Sequence, residues 1–194
     1  MPKKVSELEF EKYKSELNFD CGLECVESCN SKNCVTDKTK LVIVGTITPP
    51  EGAGYFYTAP RNKIYGYIDQ ALGNTNLKVL KKELLQNPKD DEIIGKIKSC
   101  LVENNIAFLD VIKSAIRRDD SPYDNDIKYY TVDKDCFAKN KDAVYVCNSV
   151  LAQTCFLEIC EELGVELKHI YLSQRKDTKQ SWLETIRKIL NLND

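Results

Sequence analysis

Four short apolar runs, Leu41-Val42-Ile43-Val44, Ile106-Ala107-Phe108-Leu109, Ala143-Val144-Tyr145-Val146 and His169-Ile170-Tyr171-Leu172, most narrow what this chain can become. Uninterrupted apolar stretches of this length suit strands buried on both faces, as in a parallel sheet. Between them lie helical patterns at residues 60–72, 77–85, 91–102, 149–163 and 180–190. Pro60 near a helix start and Gly73 and Gly164 just past helix ends fit the usual capping asymmetry. A further helix is expected to open at Ser6-Glu7-Leu8-Glu9, a capping-box pattern, and to run to about Leu17. Strands alternating with helices imply an α/β fold, a three-layer α/β/α sandwich around a central four-stranded parallel sheet. No repeat, low-complexity tract or linker divides the sequence, so residues 1–194 are expected to form one domain, residues 1–40 packing on it as an N-terminal helix and Cys-rich segment.

No apolar run approaches the roughly 18 residues a membrane span needs, and the start is charged, so a cytoplasmic protein away from membranes is expected. The net charge of −2 gives no global attraction to nucleic acid, and any such contact would need a local basic patch. Nine cysteines is an odd count that cannot close fully into disulfides, which suits reduced thiols or a metal site better.

In an open parallel sheet the ligand sits beyond the carboxyl ends of the strands. The loop there after the first run, residues 45–62, holds glycines, prolines and the consecutive aromatics Tyr55-Phe56-Tyr57. Gly and Pro give the backbone a tight, fixed shape. The aromatics could form a platform on which a planar ring stacks, or a plug over the sheet edge; the residues alone leave both readings open.

Val44-Gly45, a Pro-containing turn and Phe56-Tyr57-x-x-Pro60-Arg61-Asn62 resemble the first motif region of the uracil-DNA glycosylase superfamily, closest to its hypoxanthine-DNA glycosylase or mismatch-specific type. The likeness continues through Ala107-Phe108-Leu109-Asp110-Val111-Ile112, Arg118-x-x-Ser121 with Asp124, and Val146-Cys147-Asn148-Ser149-Val150-Leu151. Three places depart from the pattern, the first being Ala59, where the closest branch often carries His. Thr48 stands where several branches carry Asp or Asn, and residues 173–178 replace the second motif with a basic loop.

The resemblance implies a uracil-DNA glycosylase-like fold and hydrolysis of the N-glycosidic bond of uracil or hypoxanthine in DNA repair. The partner would be DNA containing a damaged base, and the protein would be a monomer. The resemblance makes Asn62, Asp110 and Thr48 catalytic candidates and places Gly45, Thr46, Phe56, Tyr57 and Asn148 around the base. Arg61, Arg175, Lys176 and Lys179 could touch phosphates, although a solvated basic loop is the commoner explanation for the last three. Asp110, at a strand end, could orient water or merely cap a turn. His169 begins a strand and reads as structural. The alternative is a non-catalytic base, nucleotide or nucleic-acid binder on the same fold.

No cofactor is required by the resemblance. Cys21, Cys25, Cys29 and Cys34 could nevertheless hold zinc or an iron–sulfur cluster. Their spacing also suits a helix whose thiols at 21, 25 and 29 pack inward as small hydrophobes.

Overall fold

The computed structural model describes residues 2–17, 22–49, 52–73, 75–118, 123–135, 137, 140–173 and 177–192. The first half holds β1 (Lys3–Lys4), α1 (Glu7–Ser15), β2 (Leu23–Glu27), β3 (Leu41–Gly45), α2 (Ile64–Leu72), α3 (Leu77–Gln86) and α4 (Asp91–Glu103). The second holds β4 (Ile106–Asp110), β5 (Ile112–Arg118), β6 (Ile127–Val132), β7 (Val144–Cys147), α5 (Val150–Leu163), β8 (His169–Tyr171) and α6 (Lys179–Leu190).

The four apolar runs pair as expected, in a parallel sheet ordered β4-β3-β7-β8 and flanked by helices. Helix α4 packs on β4, α5 on β7 and α6 on β3. Strands β3 and β4 are buried along their whole length, which is why their sequences show no polar alternation. Trp182 of α6 is fully buried and stacks on Tyr67 of α2 at 5.9 Å between ring centroids, locking the two helices together. Gly73 and Gly164 close α2 and α5 in the left-handed conformation. The capping box of α1 forms, with the Ser6 hydroxyl accepting from Glu9 N–H and the Glu9 carboxylate accepting from Ser6 N–H.

A second sheet, ordered β1-β6-β5-β2, was not expected from the sequence. Strands β2, β5 and β6 run antiparallel, and β1 joins β6 in parallel. The Cys-rich segment supplies β2, which corrects the helical reading of its cysteine spacing. A separation of four residues places side chains on one side of a strand as well as on one face of a helix. Helix α1 covers β6, where Val5, Phe10 and Ile116 form a small apolar cluster of their own. The chain passes from β4 to β5, and so from one sheet to the other, across the single residue Val111. Among the described residues no helix is long and apolar enough to cross a membrane.

Candidate functional site

Strands β3 and β4 end together, with Gly45 paired to Asp110. A Cβ on Gly45 would lie 2.9 Å from both Asp110 Oδ1 and Tyr57 Oη, so only glycine lets these two groups converge on the strand end. Gly45→Ala is therefore expected to force the carboxylate or the phenol aside and to cost about 1–3 kcal/mol, read as a lower urea midpoint with an unchanged slope.

Asp110 is 2% exposed. Its Oδ2 accepts from both the backbone N–H and the hydroxyl of Thr48, each at 3.0 Å. Burial opposes the charge more than these donors and the Cys29 N–H favour it, and the carboxyl is pushed up to about 7. Two bonds then fix the main chain at this residue. Asn30 Nδ2 donates to Asp110 O at 2.7 Å, and Asp110 N–H donates to Asn30 Oδ1 at 2.9 Å. Asn30 Nδ2 also reaches Asp133 Oδ2 at 2.8 Å. Sequence reasoning missed Asn30, because nothing local marks a side chain whose partner lies 80 positions away.

Thr46 begins a second polar chain. Its hydroxyl donates to Asp124 Oδ2 at 2.9 Å and lies 2.9 Å from Ser149 Oγ. With that proton committed, Ser149 must donate to Thr46, while Ser149 Oγ accepts from Ala152 N–H at the start of α5. The bonds thus run in one direction, from the helix N-terminus to the Asp124 carboxylate. Asn148 is held by its backbone N–H to Val44 O at 3.0 Å, and its side-chain amide has no hydrogen-bond partner among the described residues.

The loop aromatics gather around Phe108 of β4. Ring centroids lie 6.1 Å away for Phe56, 4.9 Å for Tyr57 and 5.5 Å for Tyr65 of α2. Tyr55 and Phe56 have no exposed surface, so on this side the loop is packed core. Tyr57 alone of the three reaches the strand ends, with positive φ and its hydroxyl donating to Ile43 O at 3.2 Å. Asn62 is half-buried, and its Oδ1 accepts from Ile64 N–H at 3.0 Å, capping the entry to α2. Its Nδ2 has no partner among the described residues. Asn62 makes no hydrogen bond to Thr48 or Asp110, so the structure does not join the three catalytic candidates through direct bonds.

Arg61 and Lys179 are exposed; Arg175 and Lys176 lie outside the described residues. Arg118 is exposed, Ser121 lies outside the described residues, and the neighbouring Arg117 is buried, its guanidinium donating to Tyr123 O just before Asp124.

The three described cysteines of the Cys-rich segment pack in different surroundings. Cys25 packs in the small cluster under α1, Cys34 in the main core, and Cys29 beside Thr48 and Asp110. Burial raises all three thiols above their ordinary range. Cys21 lies outside the described residues, and among these no three His, Cys, Asp or Glu side chains could hold an ion.

No protein-family profile and no curated protein matches the chain. Among solved structures it is similar to a candidate uracil DNA glycosylase from Methanosarcina acetivorans, determined by solution NMR. The two are 18% identical with a TM-score of 0.54, over 81% of this chain and 94% of that one. At that identity the likeness establishes a shared fold.

Proposed function

We propose that the protein is a DNA glycosylase that hydrolyses the N-glycosidic bond of a deaminated base, uracil or hypoxanthine. One observation carries the reading: at the carboxyl ends of β3 and β4 a buried carboxyl held near 7 is bonded to the hydroxyl of Thr48, on the fold shared with the candidate glycosylase. A nucleotide must leave the stack to reach such a site. Water held on the Thr48 oxygen would attack C1′ of the sugar as the bond to the base breaks. Its proton would pass to Thr48, and the proton of Thr48 to Asp110, so the buried carboxylate acts as base without touching water itself.

The departing base takes the electron pair of the glycosidic bond. Asn62 Nδ2 would donate to it, preorganised because Oδ1 of the same amide is tied to Ile64. Asn148 would read the base edge, with Gly45 and Thr46 forming the pocket wall. Tyr57, whose ring packs edge-on against Phe108, would offer the surface on which the base rests, with Phe56 packed against Phe108 as well. Arg61 and Lys179, with Arg175 and Lys176, would meet the phosphates. These residues supply the proton transfer and charge stabilisation with their own groups.

The test is incubation of purified protein with labelled oligonucleotides containing uracil, hypoxanthine or xanthine, followed by detection of abasic sites. Cleavage is expected, and Asn62→Ala should lower single-turnover cleavage by about 10²–10³-fold with the fold intact. Undiminished cleavage by that variant would remove Asn62 from the mechanism. The near-complete burial of Asp110 also suits a protein that binds a base without hydrolysing it. Tight binding of the modified oligonucleotides with no abasic product would select that second reading.

A further inference from the structure

The stripe of α3 that faces the interior consists of Leu77, Lys81 and Leu84. Spacings of four and three put these side chains on one helix face, where packing alone calls for a third aliphatic residue. Lys81 is instead an amine only 7% exposed, on the inner side of the helix. Among the described residues its one hydrogen bond is donated to the main-chain carbonyl of Asn62, at 2.6 Å. It pairs with no carboxylate among the described residues. Asp69 of α2, which caps the start of α3, spends its oxygens on Thr75 and on the first amides of α3. Burial without an opposing charge accordingly lowers the Lys81 amine to about 8.

An ammonium in such a place works against the stability of the fold. What it gains is control of one atom, the Asn62 carbonyl. That amide is already tied by Oδ1 to Ile64 N–H. With both oxygens of Asn62 held, Nδ2 is the one polar group of the side chain left for a ligand.

We infer that Lys81 is a positioning residue, which clamps the Asn62 carbonyl from α3 and so fixes the direction in which the Asn62 amide is presented to a ligand. The catalytic consequence rests on the glycosylase reading; the clamp itself does not.

Lys81→Met keeps the length of the side chain and completes the apolar stripe. In this variant the thermal midpoint is expected to hold or rise. Hydrogen exchange of the Ile64 amide should accelerate by at least about 10-fold, with the α4 amides unchanged, because the Asn62 cap loosens once its anchor is gone. On a modified oligonucleotide, kcat should fall about 10-fold or more while KM moves less than about 3-fold, and Lys81→Arg should restore part of kcat. Unchanged Ile64 exchange in the Met variant would overturn the clamp, as would a loss of midpoint that parallels a uniform rise in exchange. Failure of the wild-type protein to cleave any substrate would instead count against the glycosylase reading, and the exchange result would still decide the role of Lys81.

Discussion

Asp110→Asn is expected to lower cleavage by about 10²–10⁴-fold and, at the same time, to stabilise the protein in alkaline solution. The amide can still accept from Thr48 N–H, but it cannot take a proton from the Thr48 hydroxyl. The stability effect follows from burial. Asp110 ionises near 7 in the fold, whereas in the unfolded chain it ionises near ~4. Between these values the folded protein keeps a proton that the unfolded chain has released. Stability therefore falls as pH rises through that window, and the loss is complete above about pH 7. Its size is on the order of 4 kcal/mol at most, since solvent penetration and relaxation reduce it. Urea unfolding at about pH 5 and about pH 8 should show a smaller difference for the variant than for the wild type. Activity of the wild type should rise with pH through about 7, as the carboxyl becomes able to accept a proton. An Asp110→Asn protein that cleaves normally would exclude the relay through Thr48. Equal pH dependence of stability in the two proteins would show that the carboxyl is not desolvated.

Asn30→Ala should have the opposite effect on stability. The asparagine serves Asp110 N–H, Asp110 C=O and Asp133 together, all in or beside the buried seam. Alanine leaves the two main-chain groups without that side chain, and each unsatisfied buried group costs about 1–3 kcal/mol. A total loss of about 3–5 kcal/mol is expected, measured as a lower urea midpoint at constant slope. Cleavage should fall as well, because Asp110 would no longer be held at the height of Gly45. Two adjacent side chains are thus expected to move stability in opposite directions. A loss below about 1 kcal/mol for Asn30→Ala would mean that water replaces it and that it does not position Asp110.

The parallel sheet was legible in the sequence because its strands are buried on both faces and write themselves as unbroken apolar runs, Leu41 to Val44 most plainly. The second sheet was not legible, for the converse reason. Strand β2 is partly exposed throughout, and β5 and β6 bury Ser114, Arg117 and Thr131 among their apolar residues, so neither alternation nor continuity survives. In the loop after β3, the sequence marked the aromatics but could not say what they touch, because Phe108 lies about 50 positions away on β4. The placement of Thr48 beside Asp110, of Asn30 across Asp110 and of Lys81 beneath Asn62 likewise depends on strand and helix packing that no local spacing encodes.

The passage from β4 to β5 through Val111 bears on how this chain can change over generations. Asp110 closes one sheet and stands two residues before the other begins, so a substitution anywhere that shifts β5 on its neighbours is transmitted to the carboxylate along the main chain. A lineage that depends on Asp110 would consequently be constrained in the second sheet as well as in the first. Its freedom to acquire new preferences would lie in loop side chains such as Arg61, rather than in Thr48 or Tyr57, which reach Asp110 and Gly45.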